Sequence, residues 1–396
     1  MSVSREVVIV DAVRTPIGSF NGSLSSLSAP ELGALVIKAL VERNSLDPAV
    51  VSEVIMGNVI SAGSGQSPAR QAALKGGLPV SVETMTINKV CGSGLKAVML
   101  AAQAVSCGDA EVIIAGGMES MSNIPYLLPK ARQGYRMGHQ QVQDALIQDG
   151  LWDVYTQQHM GACSEGSADD YSVTREEMDA FAVQSYKRAL KAQEKGYFRH
   201  EIIPVTIEDR KGSTVVDIDE EPGNVKFDKI PTLRPAFRKD GRITAANASK
   251  INDGASALLI MSADKAAELG LKAKVRIIAQ ASAAGQPEKF STAPVTAIEK
   301  ILKKSGLKAA DIDLWEINEA FSHVAFLPVK HFMLNMDRVN VHGGAVALGH
   351  PIGASGARIL TTLIHGMEGL GAKKGLASLC IGGGEASALI VESVND

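Results

Sequence analysis

Cysteine is scarce: the 396 residues contain four, at positions 91, 107, 163 and 380. They are too few and too scattered for a disulfide framework, which points to a reducing, cytoplasmic compartment. An excess of charge of one sign is also missing. Forty basic and forty-three acidic side chains leave a net charge of −3, whereas a nucleic-acid binder carries surplus Lys and Arg. No apolar run is expected to approach the roughly 18 residues of a membrane span, so neither nucleic acid nor membrane is expected as a partner. Met1–Val10 lacks an apolar signal core and an Arg-rich transit pattern, and Val394-Asn-Asp396 is no peroxisomal address. Cys-x-x-Cys and His-Glu-x-x-His are absent, as are the glycine-rich loops that cradle nucleotide phosphates, which excludes the common zinc, nucleoside-triphosphate and dinucleotide signatures.

Hydrophobic residues make up 45% and charged residues 21% of the chain, so disorder is excluded and a large core is expected. At about 150 residues per domain the length allows two to three domains. An internal duplication orders them. Val7-Val-Ile-Val10 is matched by Val275-Arg-Ile-Ile278, and Glu53-Val-Ile-Met-Gly-Asn58 by Asp313-Leu-Trp-Glu-Ile-Asn318. Cys91-Gly-Ser-Gly-Leu-Lys96 and Gly353-Ala-Ser-Gly-Ala-Arg358 each open an apolar helix that leads to a strand ending in glycines. Gly254-Ala-Ser-Ala-Leu matches Glu385-Ala-Ser-Ala-Leu. Five matches in the same order read as two related β/α halves with a mixed or largely parallel sheet buried on both faces. The expected domains are 1–117 completed by 254–273, an inserted segment 118–253, and 274–396. Within the insertion, Thr174 followed by Glu177 predicts a capped helix over 174–197, and 205–235 reads as charged and turn-rich.

Cys91 is the sharpest candidate for chemistry. It lies at the start of a predicted helix among small residues, where backbone N–H groups and the helix dipole are expected to lower its pKa and favour a nucleophilic thiolate. The alternative is a buried structural cysteine. Pro351 biases His350 away from helix and onto a loop, opposite the Cys91 loop in the duplicated geometry. A thiol facing an imidazole is a nucleophile with its base, although a loop histidine also serves as a plain hydrogen-bonding group. Cys380 precedes three glycines whose N–H groups suit an oxyanion, and Asn318, at a strand end, has the side chain to orient a water or a carbonyl.

Asn88-Lys-Val-Cys91-Gly-Ser-Gly, Asn318-Glu-Ala-Phe321, Gly349-His350-Pro-Ile-Gly and Cys380-Ile-Gly-Gly-Gly384 together resemble the four signature segments of the thiolases. The resemblance runs from about Val7 to the C-terminus. It implies an α/β fold of duplicated βα halves in a layered α-β-α-β-α core, with an inserted loop domain for coenzyme A binding and oligomer contacts. It implies a two-step Claisen exchange between coenzyme A thioesters, with acetyl-CoA, acetoacetyl-CoA and CoA as partners, no prosthetic group, and a homotetramer. Cys91 would carry the acyl group, with His350 taking its proton. Cys380 would move the Cα proton, and Asn318 would position a water for the enolate. The N–H groups of Cys91 and Gly382 would bind the oxyanion.

Leu151, His159 and Met160 match the family's acyl and pantetheine-pocket positions, and Phe237, Ala245, Ser249, Ala320 and Phe321 its pantetheine tunnel. Tyr186 and Lys229 complete the coenzyme A-facing set. His159 points to a short acyl pocket. Several departures from the bacterial biosynthetic pattern, Ala246 and Phe290 among them, resemble potassium-activated mitochondrial members. The positions matching their ion site are Tyr186, Ala245, Ala246, Ala248 and Val346, with unoccupied backbone as the alternative. A degradative 3-ketoacyl-CoA thiolase of broader chain length and a non-catalytic acyl-CoA-binding scaffold remain as alternatives. Activity on a chain-length series discriminates the first, and the joint presence of Cys91, His350 and Cys380 weighs against the second.

Overall fold

The computed structural model describes residues 5–394 apart from residue 211. The readings made on Met1–Ser4 and on Asn395–Asp396 therefore lie outside the described residues. The first half contains strands β1 (Val7–Arg14), β2 (Glu53–Gly57), β3 (Glu83–Ile87) and β4 (Val112–Ser120), with helices α1 (Ala29–Arg43) and α2 (Ser93–Cys107). The insertion carries α3 (Met160–Asp170) and α4 (Arg175–Lys195), and β5 (Asn252–Ser262) closes the half. The second half follows with β6 (Val275–Ala284), α5 (Ala293–Ser305), β7 (Leu314–Ile317), α6 (Ser322–Phe332), α7 (Ala345–Leu348), α8 (Ile352–Leu370), β8 (Lys374–Ile381) and β9 (Glu385–Ser393).

Strand order is β7-β8-β9-β6-β1-β5-β4-β2-β3. The sheet is mixed rather than largely parallel: β2 runs parallel to β3 and β4, and β7 to β8, while the other pairs are antiparallel. The halves meet at β1 and β6 through only two residue pairs, Val8 with Arg276 and Ile9 with Val275. The duplication extends to irregularities. β1 slips register between Ile9 and Asp11, and β6 slips at the matching place between Ile277 and Ala279. An extra residue at the same point of both strands is a shared β-bulge.

Alternation along the strands sorts side chains into three apolar layers. Val7, Ile9 and Ala12 face α2 and α8 in the centre, together with Leu379 and Leu389 of the second half. Val8, Val10 and Val13 face α1 on one outer side, and Ala279, Ala281 and Ala388 face α5 and α6 on the other. The result is the expected α-β-α-β-α layering. The two central helices touch backbone to backbone. A Cβ on Gly94 would lie 2.7 Å from the Ala357 nitrogen, and one on Gly356 would lie 2.4 Å from the Leu95 nitrogen. These reciprocal contacts put Gly94 and Gly356 at equivalent positions of the two halves, and both must lack a side chain.

Three sequence expectations need correction. Val90–Cys107 is an 18-residue segment apolar enough by length and composition to cross a membrane, with mean hydropathy 1.4, and 56% of it is buried. Here that apolarity fills the central helical layer, covered by the sheet portions of both halves and by α8. The first-half strand does not end at its glycines but continues to Ser120, because Gly116 and Gly117 lie where Ser256 and Gly353 oxygens approach to 2.0 Å of any Cβ. The segment 205–235 is not all turn: Val205–Asp209 pairs antiparallel with Gly212–Val216. The capped helix forms as expected, Thr174 Oγ1 accepting from Glu177 N–H at 3.2 Å and Glu177 accepting from Thr174 N–H at 2.8 Å.

Candidate active site

Cys91 sits on a sharp turn between β3 and α2. Val90 before it has φ +46°, a left-handed conformation that is strained for a β-branched residue. Asn88 Oδ1 accepts the Val90 N–H at 2.9 Å and holds the turn. Ser93 Oγ accepts from Lys89 N–H at 2.8 Å and donates to the Val90 carbonyl at 2.7 Å. A Cβ on Gly92 would meet Ile381 at 2.4 Å. The turn presents the Cys91 sulfur to the backbone N–H groups of Gly382 and of Cys91 itself. Both stabilise a thiolate, yet burial outweighs them and pushes the thiol up to about 11. The expected lowering of the resting pKa is therefore corrected. Loss of water around the sulfur exceeds what two N–H groups return, so the resting group is a thiol that needs a base.

His350 stands between α7 and α8, 6% exposed. Its N–H donates to Asn252 Oδ1 at 2.9 Å. Ser355 Oγ donates to the Pro351 carbonyl at 2.9 Å and lies 2.5 Å from His350 Nδ1. A hydroxyl has one proton. With that proton on Pro351, Nδ1 must donate to Ser355, which leaves Nε2 as the basic nitrogen. Among the described residues Nε2 has no hydrogen-bond partner. Burial lowers the imidazole to about 3, so it is neutral at physiological pH.

Cys380 is 1% exposed at the end of β8, and burial, then the neighbouring Cys91, raises its pKa well above the ordinary value. Asn318 is fully buried, and among the described residues neither its Oδ1 nor its Nδ2 has a partner. A buried amide left unsatisfied costs free energy unless a small polar molecule completes it.

A cavity of about 250 Å3 opens onto Cys91 and His350. Cys91, His350 and Gly382 line it with Leu151, His159, Met160, Phe237, Ser249, Ala320 and Phe321. Its wall is tied together by Ser249 N–H to the Ala320 carbonyl at 3.0 Å and Ser322 N–H to the Asn247 carbonyl at 2.9 Å. His159 caps α3 by accepting the Gly161 N–H on Nδ1 at 3.0 Å and stacks on Phe237, with ring centroids 4.8 Å apart. Cys380 and Asn318 do not line the cavity, and neither do Tyr186, Lys229 and Ala245. Lys229 is an exposed side chain 3.7 Å from Asp228.

The positions expected to hold potassium are engaged otherwise. The Lys250 ammonium donates to Tyr186 Oη at 2.8 Å, to the Ala248 carbonyl at 3.1 Å and to the Val346 carbonyl at 3.3 Å. Ala245 is exposed, while Ala246 is buried beside it. Three of the five expected donors already satisfy a cation carried by the chain, so this donor set does not fit a resident potassium ion, and no step is derived through one.

Several positioning residues escaped the sequence reading. Glu119 accepts from Val59, Ile60 and Gly353 N–H groups at 3.0, 3.2 and 2.9 Å and so ties the 58–60 loop to α8. Burial raises its carboxyl to about 7. Glu319 accepts from Ser185 Oγ at 2.7 Å, Asn340 Nδ2 at 2.8 Å and Val346 N–H at 3.1 Å. Its place in Asn318-Glu-Ala-Phe321 was a signal, as was Lys250 directly before an apolar strand. Asn252 and Ser355 gave none.

Comparison with known proteins agrees with this geometry. Residues 7–264 match the family model "Thiolase, N-terminal domain", and residues 271–393 match "Thiolase, C-terminal domain". An acetyl-CoA acetyltransferase of Pseudomonas aeruginosa is 54% identical over 97% of this chain and 98% of its own. Acetyl-CoA acetyltransferase 1 of Arabidopsis thaliana is 51% identical over 99% and 95%. The crystal structure of the Bacillus anthracis acetyl-CoA acetyltransferase superposes with a TM-score of 0.97 at 42% identity, over 100% of both chains. An Ascaris suum thiolase solved in complex with coenzyme A gives a TM-score of 0.93 at 45% identity, over 98% of this chain and 100% of that one. On fold, motif order and full-length similarity, the chain belongs to the thiolase family.

Proposed function

We propose that this thiolase is an acetyl-CoA acetyltransferase, condensing two acetyl-CoA to acetoacetyl-CoA plus CoA and catalysing the reverse thiolysis. The observation that carries the reading is the convergence of Cys91, the Gly382 N–H and a His350 Nε2 unpartnered among the described residues on one cavity, with Cys380 buried beside Cys91 and Asn318 buried and, among the described residues, unsatisfied. In the first step Cys91 Sγ attacks the thioester carbonyl while its proton passes to His350 Nε2. Thiolate and imidazolium arise together, so neither charge stands alone in a site that disfavours both. The Cys91 and Gly382 N–H groups hold the oxyanion, each such donor contributing about 2.7–4 kcal/mol. The departing CoA sulfur takes the proton from His350, leaving acetyl-Cys91.

In the second step Cys380 passes its thiol proton to the neutral His350 and, as thiolate, removes the Cα proton of a second acetyl-CoA. The site that raises its pKa makes it a stronger base toward a weak carbon acid. The enolate oxygen is held by His350 and a water on Asn318. The carbanion attacks the acetyl carbonyl, Cys91 sulfur leaves and takes the proton held by His350, and Cys380 ends the cycle as the thiol it began as. The cavity is below the common 300–1,000 Å3 of drug-sized sites, and the His159–Phe237 stack narrows it, which supports acetyl and acetoacetyl groups over long chains. Incubation with acetoacetyl-CoA is expected to give an acetyl adduct by intact mass, absent in Cys91→Ala. Failure to form the adduct or to release acetyl-CoA would remove the proposal.

Two surfaces support a homotetramer. Among the described residues β3 pairs on one side only, with Met85 43% exposed, and segment 126–142 exposes Tyr126, Leu128, Met137 and Val142. An open strand edge and a separate apolar patch give two kinds of contact, as a dimer of dimers needs. Light scattering should give the mass of four chains. The four free cysteines support a reducing, cytoplasmic location.

A further inference from the structure

We infer that the Lys250 ammonium is a built-in monovalent cation that fixes the His350 loop and makes this enzyme independent of potassium. Its three acceptors come from three separate pieces of chain: Tyr186 on α4, Ala248 in the tunnel wall and Val346 on α7. Two are backbone carbonyls and one is a neutral phenol, a ligand set with no formal charge that suits a large, weakly demanding cation. Lys250 Nζ also lies 5.5 Å from the centroid of the Tyr186 ring. An ammonium has three N–H donors, and three acceptors meet it here.

The consequence for chemistry follows from where the acceptors lie. Val346 is four residues before His350, and its N–H is held by Glu319 at 3.1 Å while its carbonyl is held by Lys250. Ala248 lines the cavity, as do Ser249 and Lys250 itself. The ammonium therefore ties the segment carrying the base to the wall that receives the pantetheine, its three N–H donors all spent on protein acceptors. Lys250 is a positioning residue. A mobile ion in such a cage must be taken from solution, whereas a tethered one is present in every folded molecule, so ionic composition should leave the site unchanged.

This inference rests on the acetyl-transfer reading for its kinetic readout, while a thermal readout stands without it. Wild type, Lys250→Ala and Lys250→Met are exchanged into tetramethylammonium chloride, then titrated with KCl or NaCl at constant ionic strength. Melting temperature, kcat and KM for acetoacetyl-CoA are measured. Wild type is expected to be the same in all three salts. Lys250→Ala is expected to lose about 10- to 100-fold in kcat, as for misplacement of a catalytic group. KCl but not NaCl should restore much of it and raise the melting temperature, because the vacated cage then accepts an ion. Lys250→Met fills the space without charge and should stay impaired and blind to KCl. A potassium-selective rise in either wild-type readout would overturn the inference. So would a Lys250→Ala enzyme with wild-type kcat in tetramethylammonium, or one whose loss KCl fails to relieve in both readouts. A KCl-dependent rise in the Lys250→Ala melting temperature with no enzymatic activity in any form would instead remove the functional reading and leave the inference standing.

Discussion

The two halves share a backbone and divide the chemistry. Both begin with a strand that bulges after its third residue, and both send a helix into the centre through a Ser-Gly pair. Strand register makes the correspondence residue by residue. Ser256 opposite Gly117 matches Ser387 opposite Leu379, so Met118 corresponds to Cys380 and Glu119 to Ile381. The same register sets Gly57 against Asn318, since Met56 pairs with Gly116 and Ile317 with Ser378. With Gly94 equivalent to Gly356, Cys91 corresponds to Gly353 and His350 to Asn88. Each reactive residue in one half faces an inert or structural one at the same place in the other. Duplication supplied the frame, and catalysis came from making equivalent positions different.

Substituting a residue by its counterpart tests that view, and the largest effects are expected at the nucleophile. Cys91→Gly, the residue at 353, should lower turnover by at least about 10^4-fold, as loss of a covalent nucleophile does. His350→Asn, the residue at 88, should slow acetylation of Cys91 by about 10^2- to 10^4-fold, the range of general-base contributions, while leaving the melting temperature near wild type. Rapid-quench mass spectrometry reads both.

Ser355→Ala is next. It removes the acceptor that fixes the His350 tautomer, and kcat should fall about 10- to 100-fold, as when a supporting hydrogen bond is lost. KM should change little. The two central glycines should behave alike, because their contacts are reciprocal. Gly94→Ala and Gly356→Ala are each expected to destabilise by about 1–3 kcal/mol, the cost of overpacking, in denaturant unfolding. Unequal losses would break the equivalence.

The smallest effect concerns a histidine of the second half. His323 on α6 is fully buried and held at about 3, against an ordinary 6.5, by burial, and among the described residues its ring nitrogens have no partner. A depressed histidine contributes stability that is complete above pH 6.5 and is lost as pH falls toward 3. At pH 5 the loss amounts to about 2 kcal/mol. His323→Leu should therefore gain stability relative to wild type by about that amount between pH 7.5 and 5. A constant difference would show that the ring titrates normally.

Much of this was legible in the sequence because it is local or periodic. The order of the halves, the Thr174 helix cap and the motifs around Cys91, His350 and Cys380 needed only neighbours in the chain. The Asn58–Asn318 match was off by one residue, since apolar strands carry no mark of register until their partners are known. The Cys91 pKa was read from its helix terminus alone, because the burial that reverses it comes from distant segments. Lys250 was missed for the same reason. Its acceptors lie 64 and 96 residues away, apart from Ala248, and carbonyl oxygens leave no trace in a sequence.

The central claim is that the nucleophile that carries the acyl group comes from one half and the thiol that makes the carbanion from the other. Cys380→Met, which installs the first-half counterpart, tests it most directly. Mixed with acetyl-CoA and followed by intact mass and product analysis, it should acetylate Cys91, release a stoichiometric amount of CoA and form no acetoacetyl-CoA. Continued condensation, or a Cys91 that is no longer acetylated in a variant of wild-type melting temperature, would contradict the division of labour.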